Sequence, residues 1–346
     1  MTENTTHRTP RHTTRIVLAE RPYGAPTAAT FRTEDAELPA PADGELLVGH
    51  RYVSLDPYMR GRMSAGKSYA APTPVGDVLP AETVSEVLES RHPDFAPGQL
   101  VVAYGGWQSA AVVPGAHARA VPENGLPAST ALGVLGMPGF TAYAGLAEIG
   151  RVRAGETLVV AAAAGPVGAT VGQLARAAGA RAVGVAGGPE KCAYLIDELG
   201  FDAAVDHRSR DFAARLAAAC PDGVDVYWEN VGGRVLEAVL PLMNLYGRLP
   251  VCGLVSQYNA DGGAEGPDRL PGLMRTVLNR SLTIRGFIQT EFRARHWDAF
   301  QREMAALVGD GTVKFREDVV DGLGNAPQAF IGLLEGRNHG KLLIRV

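Results

Sequence analysis

The sequence predicts an α/β protein in which a β-rich module is joined to a doubly wound parallel sheet, and three observations support this fold class. Residues 15 to about 125 contain short apolar runs separated by turn signals such as Pro41-Ala-Asp-Gly44, which is typical of strands and tight turns. From about Ala128 onward, Ala-rich helical stretches alternate with short apolar strands, the pattern of parallel βαβ units. Beyond about Lys314 the β pattern returns and ends in Lys341-Leu-Leu-Ile-Arg-Val346.

Composition and charge narrow the class of protein. The 346 residues correspond to about two domains, and the 46% hydrophobic and 20% charged fractions are ordinary for a globular chain. A formal net charge of −4 offers no basic excess to a nucleic-acid backbone, so we expect no nucleic-acid partner. Cys192, Cys220 and Cys252 stand alone, which argues against a disulfide framework and favours reduced thiols in the cytoplasm.

The domain boundaries follow from these changes of pattern. Residues 1–14 are Thr-rich with no apolar run behind them, so we expect a flexible tail and no secretory signal. Residues 15–132 and 313–346 form the predicted β-rich domain, and residues 133–312 form the predicted parallel-sheet domain. The charge-free stretch 157–175 has the length of a membrane span, but its glycines and proline favour a buried strand, a turn and a helix. We therefore expect no membrane association.

The elements of the parallel-sheet domain are predicted in order from short apolar runs and helical stretches. Strands are expected at 157–162, 182–186, 200–206, 224–228 and 248–253, and helices at 168–178, 189–199 and about 210–220. Strands and helices that alternate at this spacing build a parallel sheet through βαβ crossovers.

A Gly-rich motif lies at the first strand-to-helix junction and runs from Ala161 to Gly172. Gly165 is expected to allow a tight turn, Gly168 to let the backbone approach a pyrophosphate, and Gly172 to let the helix pack closely on the sheet. The amide groups and the dipole at the helix start favour an anion. Because strand, turn, helix and second strand occur in the right order, the motif predicts a dinucleotide site.

The end of the second strand indicates which dinucleotide is bound. NAD sites usually carry an acidic residue there that binds the ribose 2′-hydroxyl, but this strand ends in Ala186-Gly187-Gly188. Lys191 and Arg208 follow nearby and can both meet a 2′-phosphate with charge-assisted hydrogen bonds. The sequence therefore predicts NADP(H). The alternative for Lys191 and for Arg208 is a solvated side chain on the surface that does not contact the cofactor.

Ordered motifs along the chain resemble those of the zinc-independent medium-chain dehydrogenase/reductases, in the branch of leukotriene B4 dehydrogenase, prostaglandin reductase and the alkenal double-bond reductases. The matching segments begin at Ser54 (SLDPYMRGRM), Gly136 (GMPGFTAY), Gly187 (GGPEK), Glu229 (ENVGG), Cys252 (CGLVSQYN), Arg285 (RGFI) and Asn338 (NHGK). They run from about residue 20 to the end of the chain. So many matches in the same order make the resemblance specific.

The resemblance implies a GroES-like catalytic domain, a Rossmann domain that binds NADP(H), a homodimer, and reduction of α,β-unsaturated carbonyl compounds. By match to family positions, the cofactor is expected to contact Met137, Gly168, Lys191, Asn230, Cys252, Ser256, Phe287 and Asn338, together with Gly165, Val167, Gly187, Arg208, Gly253 and Ile288 in the same segments. His207 is a departure, because the family usually has Tyr there. An imidazole can still donate a hydrogen bond, and near pH 6 it can add positive charge.

No metal is expected. The region where zinc-dependent relatives have a Cys ligand reads Ser54-Leu-Asp-Pro57, and the region of their His ligand reads Ala81-Glu82-Thr83. Without a Lewis acid, reduction of a conjugated C=C is easier than reduction of a simple ketone. Hydride is then delivered to the β-carbon, and the enolate needs only a hydrogen-bond donor at its oxygen and a proton at the α-carbon.

Tyrosines suit the task of donor because a phenol is neutral at pH 7. We expect Tyr258 to be the main oxyanion donor or proton source, Tyr58 to position the substrate, and Tyr69 to line the substrate pocket with Met137. Glu82, in a segment that departs from the family, is a candidate proton donor if burial raises its pKa. A solvated or salt-bridged carboxylate is the alternative for Glu82, and a plain pocket wall is the alternative for the tyrosines.

The leading function is thus an NADPH-dependent reductase of enones or enals. A quinone reductase of the same superfamily is one alternative, since it needs no proton donor at an α-carbon. A tailoring enoyl reductase of specialised metabolism and a non-catalytic NADPH-binding protein are the others.

Overall fold

A computed structural model describes residues 11–260 and 268–346, which divide into two compact units. The β-rich unit contains the described residues up to Leu132 together with Val319–Leu333 and Leu342–Val346, and the parallel-sheet unit contains Gly133–Asp318 and Leu334–Lys341.

Fifteen strands occur in the described residues. In chain order they are β1 His12–Leu18, β2 Phe31–Glu37, β3 Glu45–Ser54, β4 Thr83–Ser90, β5 Leu100–Ala103, β6 Ala110–Pro114, β7 Arg119–Ala120, β8 Thr157–Ala161, β9 Arg181–Ala186, β10 Ala203–Asp206, β11 Val224–Trp228, β12 Met243–Val251, β13 Thr283–Gly286, β14 Glu317–Asp321 and β15 Lys341–Arg345.

Nine α-helices occur in the same part of the chain. They are α1 Met59–Arg62, α2 Met137–Gly145, α3 Pro166–Ala177, α4 Pro189–Ala193, α5 Phe212–Ala219, α6 Gly233–Val239, α7 Leu270–Arg280, α8 Arg293–Gly309 and α9 Ala326–Leu334. None of the helices in residues 11–260 and 268–346 combines the length and apolar character that a membrane crossing needs.

The β-rich unit is built on antiparallel strands. The order of its main sheet is β14-β15-β3-β4-β5-β7, with β6 paired to β3, and β1 and β2 form a separate pair. Leu46, Val48 and Val101 are buried in one apolar cluster, while Val84, Val102 and Leu343 are buried in another. Alternate residues of β4 and β5 thus enter different clusters, as the pleat of a strand requires.

The parallel-sheet unit has six parallel strands in the order β10-β9-β8-β11-β12-β13. All five residues of β8 are buried, which explains the charge-free run that begins at Thr157, because a central parallel strand is covered on both faces. Val159, Val183, Phe212 and Tyr227 belong to one buried cluster of this unit. The predicted fold class, a β-rich domain with a doubly wound parallel sheet, is confirmed.

Two boundaries differ from the sequence predictions. Strand β1 begins at His12, inside the predicted tail, of which residues 1–10 lie outside the described part. Residues 313–318 and 334–341 belong to the parallel-sheet unit, although the whole of 313–346 was assigned to the β-rich domain. Gln173 explains part of this, since its side chain exchanges hydrogen bonds of 2.9 and 2.8 Å with the backbone of Lys314.

Candidate functional site

The turn between β8 and α3 carries the Gly-rich motif. Gly165 has an ordinary φ of −82°, whereas Ala162 adopts the left-handed φ of 51°, so the tight turn expected at Gly165 is made at Ala162 instead. A Cβ atom on Gly168 would lie 2.5 Å from the Ala162 carbonyl oxygen, and one on Gly172 would lie 1.9 Å from the Phe201 ring. Gly168 and Gly172 are therefore needed for close packing. The first amides of α3, which have no partner within the helix, suit a pyrophosphate.

The order of strands in the sheet reverses at β8, with β9 and β10 on one side and β11 to β13 on the other. Ligands of open α/β sheets bind at the carboxyl ends of the strands at such a switch point. Asn230 follows β11 and donates from Nδ2 to the Ala161 carbonyl oxygen at 2.8 Å, while its Oδ1 accepts from Trp228 Nε1 at 3.2 Å. The Asn230 side chain thus ties together the ends of β8 and β11.

Glu229 is a buried carboxylate to which the sequence analysis assigned no role, although it begins the family motif ENVGG. Its Oε1 accepts hydrogen bonds from the amides of Val231 at 2.6 Å and Gly232 at 2.8 Å. Burial raises the pKa of Glu229, although these amides oppose the shift. The residue positions the loop that carries Asn230, and only its contacts in the fold reveal this.

A cluster of nitrogen donors lies at the carboxyl end of β9. A Cβ atom on Gly187 would lie 3.0 Å from His207 Nε2 and 3.1 Å from Arg208 Nε. Lys191 lies on α4, directly after this end of the sheet, and donates to the Gly336 carbonyl oxygen at 2.8 Å. The fold therefore brings Gly187, His207 and Arg208 together, with a second cation, Lys191, on the next helix.

Charge in this cluster differs from the sequence expectation. Burial lowers the pKa of His207, and the neighbouring Arg208 lowers it further. The positive charge that we expected His207 to add near pH 6 is therefore less favoured here than on a free imidazole. Burial and Arg208 also lower the pKa of Lys191 from its usual value.

An open cleft of about 410 Å³ lies at the carboxyl ends of β12 and β13. Five residues that the sequence assigned to cofactor or catalysis line it: Cys252, Gly253, Tyr258, Phe287 and Ile288. Tyr258 follows a short helical turn, Val255–Gln257, and its hydroxyl would lie 3.2 Å from a Cβ on Gly253. The cleft thus gathers residues that are 36 positions apart in the chain, from 252 to 288.

Glu291 also lines this cleft and was missed by the sequence analysis. One carboxylate oxygen accepts a hydrogen bond from the Ile288 amide at 2.8 Å, and the other lies 3.1 Å from Arg285.

Burial raises the pKa of Cys252, another residue of this cleft, to about 12. That thiol is therefore protonated at neutral pH and is a weak nucleophile.

The remaining residues assigned to the cofactor lie on other elements of the parallel-sheet unit. Met137 begins α2, and its carbonyl oxygen accepts from Thr141 at 2.8 Å. Val167 lies in the first turn of α3. The Ser256 hydroxyl donates to the Val231 carbonyl oxygen, and Asn338 donates to the Gly340 carbonyl oxygen at 2.9 Å.

In the β-rich unit, Tyr58 immediately precedes α1. Burial raises the pKa of Tyr58 well above its usual value, and Asp56, Tyr104 and Glu82 add to the shift. The phenol therefore stays protonated and can donate a hydrogen bond at all physiological pH values. Tyr69 is 60% exposed, and the Arg62 guanidinium lies 5.3 Å from its ring centre.

Glu82 lies 3.6 Å from Arg119, and the two side chains are only 12% and 19% exposed. An adjacent guanidinium stabilises the ionised carboxylate. The geometry therefore favours the salt-bridged alternative for Glu82 over the proton donor.

Within residues 11–260 and 268–346, no group of three or more His, Cys, Asp or Glu side chains is arranged to hold a metal ion. Cys192, Cys220 and Cys252 are free thiols. Burial raises the pKa of Cys220 to about 11.

Comparison with known proteins places the fold and these residues in context. Two family models match, described as the N-terminal domain of oxidoreductase over residues 14–121 and as zinc-binding dehydrogenase over residues 166–308. The NADPH-dependent curcumin reductase of Escherichia coli (strain K12) is 53% identical over 332 residues, which is 96% of each chain. Prostaglandin reductase 1 of Rattus norvegicus is 37% identical over 326 residues, 93% of this chain and 95% of its own.

A solved structure is also similar. CurA from Vibrio vulnificus in complex with NADPH superposes with a TM-score of 0.93 at 48% identity, covering 96% of this chain and 99% of that one.

A six-stranded parallel sheet with this switch point, together with the two family matches, identifies a two-domain oxidoreductase that uses a dinucleotide. The chain belongs to the zinc-independent medium-chain dehydrogenase/reductases, in the branch of the prostaglandin reductases. The predicted family is therefore confirmed. The cofactor predicted from the end of β9 is also the one named for two of these relatives.

Proposed function

We propose that this protein is an NADPH-dependent reductase that adds hydride to the β-carbon of an α,β-unsaturated carbonyl compound without using a metal. The observation that carries the proposal is the cleft in which the Tyr258 hydroxyl lies beside Gly253, together with Cys252, Phe287 and Ile288. The names of the curcumin and prostaglandin reductases support the same substrate class.

The residues present fit NADPH. Gly187 has no side chain to obstruct His207 and Arg208, whose nitrogen atoms would lie 3.0 and 3.1 Å from a Cβ there; nitrogen donors are the groups that bind a 2′-phosphate. The start of α3 suits the pyrophosphate, and Cys252, Phe287 and Ile288 border the opening where a nicotinamide would lie. The bound cofactor supplies the hydride.

Tyr258 then provides the donor that the reaction requires. When hydride reaches the β-carbon, the C=C π electrons move toward the carbonyl and negative charge develops on its oxygen. A phenol hydroxyl aimed at that oxygen stabilises the charge. The α-carbon finally takes a proton, from the Tyr258 hydroxyl or from water, which gives the saturated carbonyl compound. Tyr58 keeps its proton because its pKa is raised by burial, and we propose that it orients the substrate.

A comparison of substrate classes tests the type of reaction. NADPH oxidation is followed with enals, extended enones and quinones, and with NADH as the alternative cofactor. We expect turnover with enones and enals and identification of the saturated product by mass spectrometry. Turnover of quinones alone, or a preference for NADH, would refute the proposal.

Substitution tests the donor. Tyr258→Phe is expected to lower kcat by about 10²-fold, the cost of one oxyanion donor, or by less if water replaces the hydroxyl. Tyr23, which is 89% exposed, provides the matched control Tyr23→Phe, for which we expect unchanged kcat. Equal kcat values for the two variants would remove Tyr258 from this role.

We also propose a homodimer in the cytoplasm, as the family resemblance implies. Light scattering of the purified protein tests the oligomeric state, and a monomeric mass would contradict it.

A further inference from the structure

We propose that His207 is a proton-linked determinant of cofactor specificity. In this proposal the imidazole takes one proton from solvent when the 2′-phosphate of NADPH binds beside Gly187. The preference for NADPH over NADH then increases as the pH falls through neutrality. This inference rests on the proposed NADPH-dependent function and adds a pH dependence to it.

The geometry brings the His207 ring and the Arg208 guanidinium together at the end of β9, the end of the second strand at which dinucleotide folds bind the adenosine ribose. His207 Nε2 and the Arg208 guanidinium both face the empty Cβ position of Gly187, at 3.0 Å and at 3.1 to 3.2 Å. A tyrosine at position 207, as in the resembling family, could donate a hydrogen bond but could gain no charge near neutral pH. An imidazole can do both, because both of its nitrogens become donors on protonation.

The loop that carries His207 is held in place before any ligand binds. Asp206 Oδ1 accepts hydrogen bonds from the amides of Gly188 at 3.0 Å and Arg208 at 2.9 Å, which joins the ends of β9 and β10. Arg234, on α6, donates to the carbonyl oxygens of His207 at 3.1 Å and Ser209 at 2.9 Å. The ring therefore does not have to be recruited by large loop movements.

The charges around the ring determine the direction of the proton transfer. Burial lowers the pKa of His207, and Arg208 beside it, Arg234 on α6 and Lys191 on α4 lower it further, while Asp206 on β10 raises it. The free protein therefore holds a neutral imidazole at pH 7. A dianionic phosphate beside Gly187 offsets the positive charge of Arg208, Lys191 and Arg234 and favours the imidazolium.

The linkage has a defined sign. Because the ligand raises the pKa of His207, NADPH binds more tightly as pH falls through the pKa of the complex, and the gain ends below the pKa of the free protein. One unit of separation between these two values corresponds to a tenfold change in Kd at most. A 2′-phosphate has its own pKa near 6, so the informative range is above about pH 6.5, where the free phosphate is mostly a dianion.

The test measures binding rather than turnover. Isothermal titration calorimetry gives the Kd of NADPH and of NADH between about pH 6.5 and 8.5, and paired buffers of different ionisation enthalpy give the number of protons taken up. For the wild type we expect NADPH to bind several-fold more tightly at the acidic end with net proton uptake, while NADH shows neither effect.

Three variants locate the proton. His207→Gln and His207→Tyr keep a hydrogen-bond donor but cannot gain charge, so both are expected to bind NADPH with a nearly constant Kd and without proton uptake. His117, exposed in the β-rich unit, provides the control His117→Gln, which is expected to behave as the wild type does.

The outcomes separate this inference from the proposed function. A wild-type Kd for NADPH that does not change with pH, or proton uptake that persists in both His207 variants, overturns the role of His207 and leaves the NADPH-dependent reductase standing. Tighter binding of NADH than of NADPH at every pH refutes the proposed function itself.

Discussion

The side-chain amide of Asn230 donates a 2.8 Å hydrogen bond to the carbonyl oxygen of Ala161. Ala161 ends β8 and Asn230 follows the end of β11, the strand that pairs with β8 where the order of the sheet reverses. Family resemblance assigns Asn230 to the cofactor, but the structure shows that it also closes the sheet at the switch point. The site and the stability of the sheet are therefore coupled through one side chain.

Asn230→Ala should destabilise the protein, because it leaves the Ala161 carbonyl and the Trp228 indole N–H without this partner. We expect the free energy of unfolding to fall by about 1–3 kcal/mol, the usual cost of an unsatisfied buried polar group. Urea unfolding in the absence of cofactor measures it. Asn279, exposed on α7, supplies the control Asn279→Ala, and an equal loss in both variants would contradict the prediction.

Gly172→Ala should destabilise the parallel-sheet unit by about 1–3 kcal/mol through overpacking, because the new methyl group would overlap the buried Phe201 ring. Gly309→Ala on α8 is the matched control. Nothing lies within 4 Å of its Cβ position, so we expect a neutral or slightly stabilising effect. Urea midpoints compare the two, and Phe201→Leu should partly rescue Gly172→Ala. A neutral Gly172→Ala, or a destabilised Gly172→Ala that Phe201→Leu does not rescue, would disprove the packing argument.

Glu82→Gln should lower stability without changing the pH profile of kcat, because Glu82 is paired with Arg119 at 3.6 Å. The free energy of unfolding is expected to fall by about 1 kcal/mol, since the neutral amide of Gln replaces only part of the carboxylate's interaction with the Arg119 guanidinium. Glu86→Gln, which breaks the more exposed pair with Arg51, should cost less. A fall in kcat with a shifted pH profile in Glu82→Gln alone would restore Glu82 as the proton donor.

Glu156 should contribute to acid sensitivity. Burial alone would raise the pKa of Glu156, but hydrogen bonds from Arg248, one of them 2.9 Å long, and from the Arg153 amide lower it overall. A depressed folded-state pKa adds stability above the unfolded value of 4.5 and loses it as pH falls through the folded value.

Glu156→Gln should therefore reduce the free energy of unfolding by about 1 kcal/mol at pH 7. The difference from the wild type should shrink as the pH falls below about 4. Chemical denaturation of the wild type and the variant at pH 7 and below about pH 4 measures this. If the difference in the free energy of unfolding were the same at both pH values, Glu156 would not act through its charge.

Patterns within short stretches of the sequence predicted several features of the fold and of the cofactor site. The charge-free run at Thr157 predicted a buried strand, and β8 is buried at all five positions. The absence of an acid after Ala186 predicted NADP(H), and two relatives are named with NADPH. These predictions succeeded because each depends on burial or on backbone geometry within a few neighbouring residues.

Contacts between distant residues were decided by the tertiary structure alone. Neither the role of Asp206, which bonds to Gly188 from 18 positions away, nor that of Glu291 in the cleft could be predicted. The conformation of Ala162 and the division of 313–346 likewise depend on packing.

By itself, therefore, the sequence determined the fold class and the type of cofactor, since hydrophobic periodicity and glycine placement are properties of adjacent residues. It also indicated the family, through the resemblance of its ordered motifs. The tertiary structure decided which hydrogen-bond donors lie close together, which carboxylates form ion pairs and which side chains stay protonated. Those properties depend on distance and burial in space, and hydrogen bonds and ion pairs form between groups wherever the folded chain brings them within about 3 Å.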